Sequence, residues 1–271
     1  MALRFADLLR AEHIPHMWCP GCGIGIVLKS MLEAFEELDW DPKETAVISG
    51  IGCTSRAPGY LDMNTMHTTH GRALSFATGI KFSSPENNVM VIAGDGDSTA
   101  IGGNHLIHAC RRNIDITMII VNNHTYGMTG GQFSPTTPEG DKAVTAPWGN
   151  IDHSFDVSEL CRAAGATYVA RGHVGSGVQL ERLIKGGMQH KGFAVIEAMS
   201  NCHTQHGRRN HLADPVDLIN FISDKTINVK RAAKLSPEEL EGKIVVGLLH
   251  QDTKKPEYCH SYAKVTERAQ A

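Results

Sequence analysis

Two groups of residues in this chain of 271 could do chemistry. The first is Gly94-Asp95-Gly96, at the end of the apolar run NNVMVIAGDG (87–96). A carboxylate at the carboxyl end of a buried parallel strand faces the crevice where open α/β sheets bind ligands. The flanking glycines let a phosphate approach the backbone, and the amides of a following helix offer that anion partial positive charge. Asn122 and Asn123 end the next apolar run, DITMIIVNN (115–123), so a carboxylate, an amide oxygen and backbone carbonyls can converge. Such an all-oxygen set suits Mg²⁺ bridging a diphosphate. The plainer alternative is a tight turn and two strand-end caps. The spacing does not fit the dinucleotide fingerprint, and no phosphate loop ending in Gly-Lys-Ser or Gly-Lys-Thr is present.

The second group is made of thiols. Cys19 and Cys22 sit in CPGC, Cys53 in GIGCTSR and Cys202 in SNCHTQHG, each where a strand or helix terminus meets a loop. The amides of the helix that follows CPGC offer partial positive charge to a thiolate. Cys110 and Cys161 fall inside amphipathic patterns and read as small core hydrophobes. Cys259, in a polar tail, carries no assigned role. Seven cysteines is an odd number, and a reducing compartment argues against a disulfide scaffold. By spacing alone, four thiolates could equally hold zinc or a four-iron cluster.

The elements that must position these groups follow from periodicity. IGIVLKSMLEAFEEL (24–38) places its apolar residues on one helical stripe. Strands are expected at 45–52, 87–96, 115–123, 167–172 and 192–200, and helices at 71–83, 101–112, 157–166 and 177–189. Near-continuous apolar strands alternating with helices mark parallel strands covered on both faces. The stretch from Tyr126 to about residue 152 is too rich in Gly, Pro and Thr for a regular element, and loops of that length are usually functional or disordered. The expected fold is α/β, a doubly wound, mostly parallel sheet, with residues 1–210 as the ligand-binding domain and 211–271 as a C-terminal extension. A net charge of −3 gives no sign of a nucleic-acid partner. No apolar stretch reaches the roughly 20 residues of a membrane span, and MALRFADLLRAEH lacks the features of a secretory signal. A cytoplasmic protein with neither nucleic acid nor membrane as partner is expected.

Taken in order, HMWCPGCGIG, ISGIGCTSR, HTTHGRALSFATGIK, VIAGDGDSTAIGGNH, VNNHTYGMTGGQFSPTTP and the isolated Cys202 give the chain a specific likeness. It resembles the beta subunit of the 2-oxoacid:ferredoxin oxidoreductases over residues 13–210, which implies a sheet of the thiamine-diphosphate-binding type. The resemblance puts Asp95, Asn123 and the backbone carbonyl of Thr125 as ligands of Mg²⁺ against the diphosphate. Cys19, Cys22, Cys53 and Cys202 become the ligands of a [4Fe-4S] cluster rather than zinc. The cofactor surround takes in Ile51, Gly52, Cys53, Thr54, Gly71, Gly94, Gly96, Asp97, Tyr126, Gly127 and Thr129, with Gly130 and Gln132 beside them. His70 and Arg72 are the candidates for a direct catalytic role, while His67 and His70 could also be ordinary capping groups.

The implied reaction is the reversible, coenzyme-A-dependent oxidative decarboxylation of a 2-oxoacid, with electrons passing through the cluster to ferredoxin. The carboxylate that such enzymes use against the aminopyrimidine is implied to come from an alpha subunit, so this chain is expected to be inactive alone. YGMTGGQFSPTTP resembles the 2-oxoglutarate and broad-specificity branch more than the pyruvate-specific one; 2-oxoglutarate, giving succinyl-CoA and CO₂, is the expected substrate, with a pyruvate or broad-specificity enzyme as the alternative. Arg56, Arg72 or Lys81 could meet the substrate's second carboxylate, unless the partner supplies the cation. The other readings are a non-redox thiamine decarboxylase or carboligase, which has no use for four cysteines, and a zinc-stabilised α/β interaction module.

Overall fold

The structure, a computed structural model, describes residues 5–271, so the first four residues of the stretch read for a secretory signal lie outside it. Eight strands form one sheet: β1 (Thr45–Ser49), β2 (Asn64–His67), β3 (Asn88–Gly94), β4 (Thr117–Asn122), β5 (Tyr168–His173), β6 (Ala194–Met199), β7 (Thr226–Asn228) and β8 (Ile244–Gln251). The helices are α1 (Ile24–Leu38), α2 (Ala73–Ser83), α3 (Gly103–Arg112), α4 (Val157–Ala163), α5 (Gly177–Gln189), α6 (Pro215–Lys225), α7 (Val229–Ala232), α8 (Pro237–Leu240) and α9 (Tyr258–Gln270). Strand order is β2-β1-β3-β4-β6-β5-β8-β7, parallel throughout except where β8 runs antiparallel to β5.

Alternate residues of the central strands feed two separate cores. Val47, Met90, Ile92, Ile119, Val121 and Ile196 pack with Val27, Met31 and Phe35 of α1 and with Leu180 and Ile184 of α5. Ile48, Val91, Ala93, Met118, Ile120 and Val195 pack instead with Leu74 and Ala77 of α2, Leu106 of α3 and Val157 of α4. Both faces of the sheet are therefore covered, which is why these strands read as unbroken apolar runs. Cys110 and Cys161 are fully buried in the second core, as expected of small hydrophobes, and Cys259 joins them there.

Two parts of the chain differ from the sequence reading. Strand β2 is mostly exposed and its polar sequence gave no strand signal. The stretch after residue 210, read as a polar tail, carries α6 to α9 and adds β8 and β7 to the sheet. Asp214 caps α6 by accepting from the amides of Val216 and Asp217, with Pro215 at the first helical position. Between β4 and α4 the long loop holds no helix or strand, as expected. Among the described residues no helix is long and apolar enough to cross a membrane.

Candidate active site

Beyond β1 the chain runs sideways to β2, and β3 then pairs on the opposite side of β1, so the order of strands reverses between β2 and β3. Ligands of open α/β sheets bind outside the carboxyl ends at such a point. The loops leaving β1, β3, β4 and β6 carry, in that spatial order, Cys53, Asp95, Asn123 and Cys202. Wide, π-type helical turns over Asp97–Ile101 and His203–Gly207 follow two of these positions, a feature common at functional sites.

A cleft of about 120 Å³ opens there. It is lined by Ile51, Gly52, Cys53, Thr54, His70, Gly94, Asp95, Gly96, Asp97, Asn123, Thr125, Tyr126, Gly127 and Thr129, together with Met128. All but the last are residues the sequence pointed to. Asp95 is buried, and its Oδ2 accepts from the hydroxyls of Ser134 (2.5 Å) and Thr136 (2.6 Å). Burial pushes the Asp95 carboxyl above its ordinary range, and these hydroxyls and nearby amides pull the other way. The side-chain oxygen of Asn123 is buried without any hydrogen-bond partner. An orphaned acceptor of that kind is costly unless something binds it, and beside a buried carboxylate a hard cation fits both. Asn122 turns the other way, its amide donating to Glu197 (2.8 Å), so Asn123 alone of the pair faces the cleft.

Asp97 ties three loops together. Its Oδ1 accepts from the amides of Gly71 (2.7 Å) and Ile51 (3.2 Å) and pairs with Nδ1 of His70. A side chain at Gly50 would collide with this carboxylate. Tyr126 donates its hydroxyl to the Gly96 carbonyl (3.2 Å) and stands edge-on to His70, with ring centroids 6.1 Å apart. Burial, with Asp95 and Asp97 nearby, raises the Tyr126 phenol.

Arg72 and Gly71 do not line the cleft. Gly71 stands behind Asp97, and the Arg72 guanidinium donates to the Ile101 carbonyl (3.1 Å), which braces the loop. Gly130 and Gln132 also lie off the lining; Gln132 closes the turn by accepting from the Tyr126 amide (3.0 Å) and the Thr125 hydroxyl (2.9 Å). Lys81 is buried against Asp115 (2.9 Å) and the Asn87 carbonyl (2.8 Å), and so is not a free cation for a substrate. Arg56 is exposed, with Nη1 3.4 Å from Nδ1 of His67.

A second cavity, of about 240 Å³, is lined by Cys19, Cys22, Cys53 and Cys202. It shares Cys53, Asn123, Gly127 and Met128 with the first. The Trp18 indole donates to the Cys53 carbonyl (2.7 Å) and so fastens the CPGC segment to the β1 loop. A methyl group at Gly127 would lie 3.4 Å from the Cys202 sulfur and 3.7 Å from that of Cys53. Burial raises the Cys22 thiol to about 12 and the Cys53 thiol to about 11, with the neighbouring thiols adding to the effect. Cys202 is raised for the same first reason. The Ile24 amide at the start of α1 does favour the Cys22 thiolate, as the sequence implied, but burial outweighs it. Four thiols are thus brought to one cavity, three of them, Cys22, Cys53 and Cys202, resisting ionisation, and ligation by a cationic centre is what would deprotonate these three. Among the described residues no three His, Cys, Asp or Glu side chains stand close enough to hold a single metal ion.

Trp18, Met128, Ser134, Thr136 and His203, which lines the thiol cavity with an unpartnered buried Nδ1, were not singled out from sequence. Only the position of Trp18, directly before CPGC, could have signalled its part.

Comparison with known proteins shows the family and the fold. Residues 50–198 match the family described as thiamine pyrophosphate enzyme, C-terminal TPP binding domain. The chain is 52% identical to 2-oxoglutarate synthase subunit KorB of Methanocaldococcus jannaschii over 260 residues, 96% of each protein. It is 49% identical to the same-named subunit of Methanothermobacter marburgensis over 266 residues, 98% of this chain and 93% of that one. Among solved structures it is similar to a 2-oxoglutarate:ferredoxin oxidoreductase from Magnetococcus marinus with 2-oxoglutarate, coenzyme A and succinyl-CoA bound. The TM-score is 0.89 at 34% identity, covering 99% of this chain and 91% of that one. With identity of this level over nearly the whole chain, the chain belongs to the family of 2-oxoacid:ferredoxin oxidoreductase beta subunits, in its 2-oxoglutarate synthase KorB branch.

Proposed function

We propose that this chain is the thiamine-diphosphate-binding subunit of a 2-oxoglutarate:ferredoxin oxidoreductase. It would take part in the reversible conversion of 2-oxoglutarate and coenzyme A to succinyl-CoA and CO₂, passing electrons through a [4Fe-4S] cluster to ferredoxin. The observation that carries the reading is the shared wall: the cleft with the carboxylate and orphaned amide oxygen abuts the cavity of four thiols at Cys53, Asn123, Gly127 and Met128.

In this reading Asp95, Asn123 and the Thr125 carbonyl hold Mg²⁺ against the diphosphate, and Cys19, Cys22, Cys53 and Cys202 hold the cluster. Bound thiamine diphosphate supplies an electron sink for decarboxylation. What the chain's own residues do is position and shield. The Gly94 backbone leaves space for the diphosphate, Gly96 makes room for the Tyr126 ring that walls one side, and Asp97 keeps the 51, 71 and 97 loops in register while holding His70 toward the cleft. A zinc ion would need its thiolates drawn in to about 2.3 Å from one centre, and the wide cavity favours a cluster over that alternative.

The cleft is also incomplete in an informative way. Among the described residues its lining carboxylates are Asp95 and Asp97, both already engaged, and no Arg or Lys lines it. In this reading an alpha subunit, as obligate partner, supplies the carboxylate for the aminopyrimidine and a cation for the second substrate carboxylate. Seven thiols without a disulfide among them suit a reducing compartment, and we place the protein in the cytoplasm on that ground.

The test is an anaerobic assay of the copurified complex for coenzyme-A-dependent reduction of ferredoxin. Reduction with 2-oxoglutarate and little with pyruvate is expected. A complex replete in iron and thiamine diphosphate that reduces ferredoxin with neither acid would overturn the reading.

A further inference from the structure

The carboxylate of Asp95 is oriented from a distant part of the chain. Ser134 and Thr136 belong to the long loop between β4 and α4, and both hydroxyls end on the same oxygen, Oδ2, at 2.5 and 2.6 Å. All three residues are at most 2% exposed, so no solvent competes for these bonds. The Asp95 carbonyl is held separately by the Thr99 hydroxyl (2.7 Å).

The same stretch, Ser134 to Thr137, grips the exit of β4. The Thr137 hydroxyl accepts from the Ser134 amide (2.8 Å) and donates to the His124 carbonyl (2.7 Å), and Nδ1 of His124 lies 2.6 Å from the Thr136 carbonyl. Asn150 donates to the Thr137 carbonyl (2.9 Å) and anchors the stretch from behind. His124 stands between Asn123 and Thr125 with φ of 61°, a left-handed conformation that needs such support in a residue with a Cβ. One segment therefore sets both the rotation of Asp95 and the turn presenting Asn123 and Thr125.

We propose that Ser134 and Thr136 are positioning residues of the metal-diphosphate site. They fix the Asp95 carboxylate by Oδ2 and tie it to the turn that carries the other two oxygens, so the ligand set is spaced before any cation arrives. This inference rests on the reading of Asp95 as a Mg²⁺ ligand. Its consequence is selectivity as well as affinity. Mg²⁺ demands oxygens at about 2.0–2.1 Å in near-ideal octahedral geometry, whereas Ca²⁺ accepts about 2.3–2.6 Å and irregular shells. A carboxylate freed to rotate loses more for the smaller ion.

The experiment uses the complex as it purifies, stripped of cofactor and metal, with thiamine diphosphate binding followed calorimetrically while Mg²⁺ or Ca²⁺ is titrated. The variants are Ser134→Ala, Thr136→Val, the pair together, Thr136→Ser and, as a control on the underlying reading, Asp95→Asn. For the double variant the Mg²⁺ half-saturation point is expected to rise about 10- to 100-fold, the usual cost of losing groups that orient a metal ligand. Ca²⁺ is expected to suffer less, so the preference for Mg²⁺ narrows. Thr136→Ser restores the hydroxyl and is expected to restore both. If the double variant fails to fold, Ser134→Ala alone still carries the test, with a smaller shift in the same direction.

An unchanged half-saturation point and an unchanged Mg²⁺ to Ca²⁺ ratio, with Asp95→Asn defective, would overturn the inference and leave the metal assignment standing. So would a loss of affinity equal for both ions and matched by a lower melting point of the metal-free protein, which is the mark of a purely structural role. Mg²⁺-dependent binding that survives in Asp95→Asn would overturn the metal assignment itself.

Discussion

Replacing Arg171 by Met tests whether the charges beneath the site are held as the structure indicates. Glu197 on β6 is 2% exposed and accepts from Arg171 Nε (2.7 Å), Ser158 Oγ (2.7 Å) and Asn122 Nδ2 (2.8 Å). Arg171 on β5 reaches Asp156 with its other arm. Burial alone would raise the Glu197 carboxyl, but Arg171 and the three hydrogen bonds outweigh it and hold the group below the ordinary carboxylate range. Removing one partner of such a pair leaves a buried charge uncompensated, at a cost of about 3–5 kcal/mol. At about 2–4 °C per kcal/mol for a chain of this size, the melting temperature should fall by roughly 6–20 °C. Asp156 is half-exposed, so its lost partner adds little.

The pH dependence has a definite sign. In the wild type the depressed Glu197 pKa contributes stability that is present above the unfolded value of about 4.5 and is lost as pH falls through the folded value. In Arg171→Met the largest influence against burial is gone and only the Asn122 and Ser158 hydrogen bonds still oppose it, so the folded pKa is expected to rise above the unfolded one and the variant to gain stability as pH falls toward the unfolded value. The gap between the two proteins should therefore narrow from pH 7.5 to pH 5, by thermal unfolding of the full-length chain. The double variant Arg171→Met/Glu197→Met should recover most of the loss, because removing both charges removes the desolvation cost. A single variant melting within about 2 °C of wild type, or a double variant as unstable as the single, would refute this account of the pair.

Other outcomes follow from the same geometry. A side chain at Gly96 would run into the Tyr126 ring, 2.9 Å from its Cδ1 and closer to Cε1 and Cζ. Overpacking of about 1–3 kcal/mol is thus expected in Gly96→Ala, read as thiamine diphosphate affinity at least several-fold weaker in a binding titration. Cys53→Ala should lower the iron content of anaerobically purified complex while leaving thiamine diphosphate bound, and Asp95→Ala should do the reverse; iron and cofactor analysis of the two proteins checks this. Lys81→Met should lower the melting temperature by breaking the pair with Asp115, yet leave the KM for 2-oxoglutarate unchanged, since Lys81 lies buried outside the cleft. A raised KM with an unaltered melting point would contradict that placement.

How much of this was legible in the chain depends on what each residue's identity can report. The runs ending in Asp95 and Asn123 were readable because parallel strands covered on both faces tolerate few polar residues, so polar groups collect at the strand ends. β2 and β8 were not, for the opposite reason: edge and half-exposed strands carry mixed side chains, and β8 contains Gly247 and meets β5 across a shifted register. Ser134 and Thr136 are ordinary loop residues in sequence, and only the return of the loop over β3 gives their hydroxyls a partner. Arg72 was singled out because the resemblance puts its stretch beside the cofactor, and sequence could not show that its guanidinium donates to the Ile101 carbonyl of a neighbouring loop.

Strand order explains why cofactor ligands and thiols that are far apart in sequence end up adjoining. In β1-β3-β4-β6 the inner two strands deliver Asp95 and Asn123, and the outer two deliver Cys53 and Cys202. Strand centres three spacings apart lie roughly 14 Å from one another, too far for the outer thiols to meet above flat strand ends. They meet because the loops after β1 and β6 fold inward over the β4 exit, where Gly127 presents bare backbone to both sulfurs. A Cβ at 127 would rest in ordinary van der Waals contact with both sulfurs, so the position has room for a methyl group and little beyond it on the wall common to the two cavities. With Cys53, Asn123 and Met128, which also line both cavities, the glycine makes the metal-diphosphate geometry and the thiol geometry depend on each other.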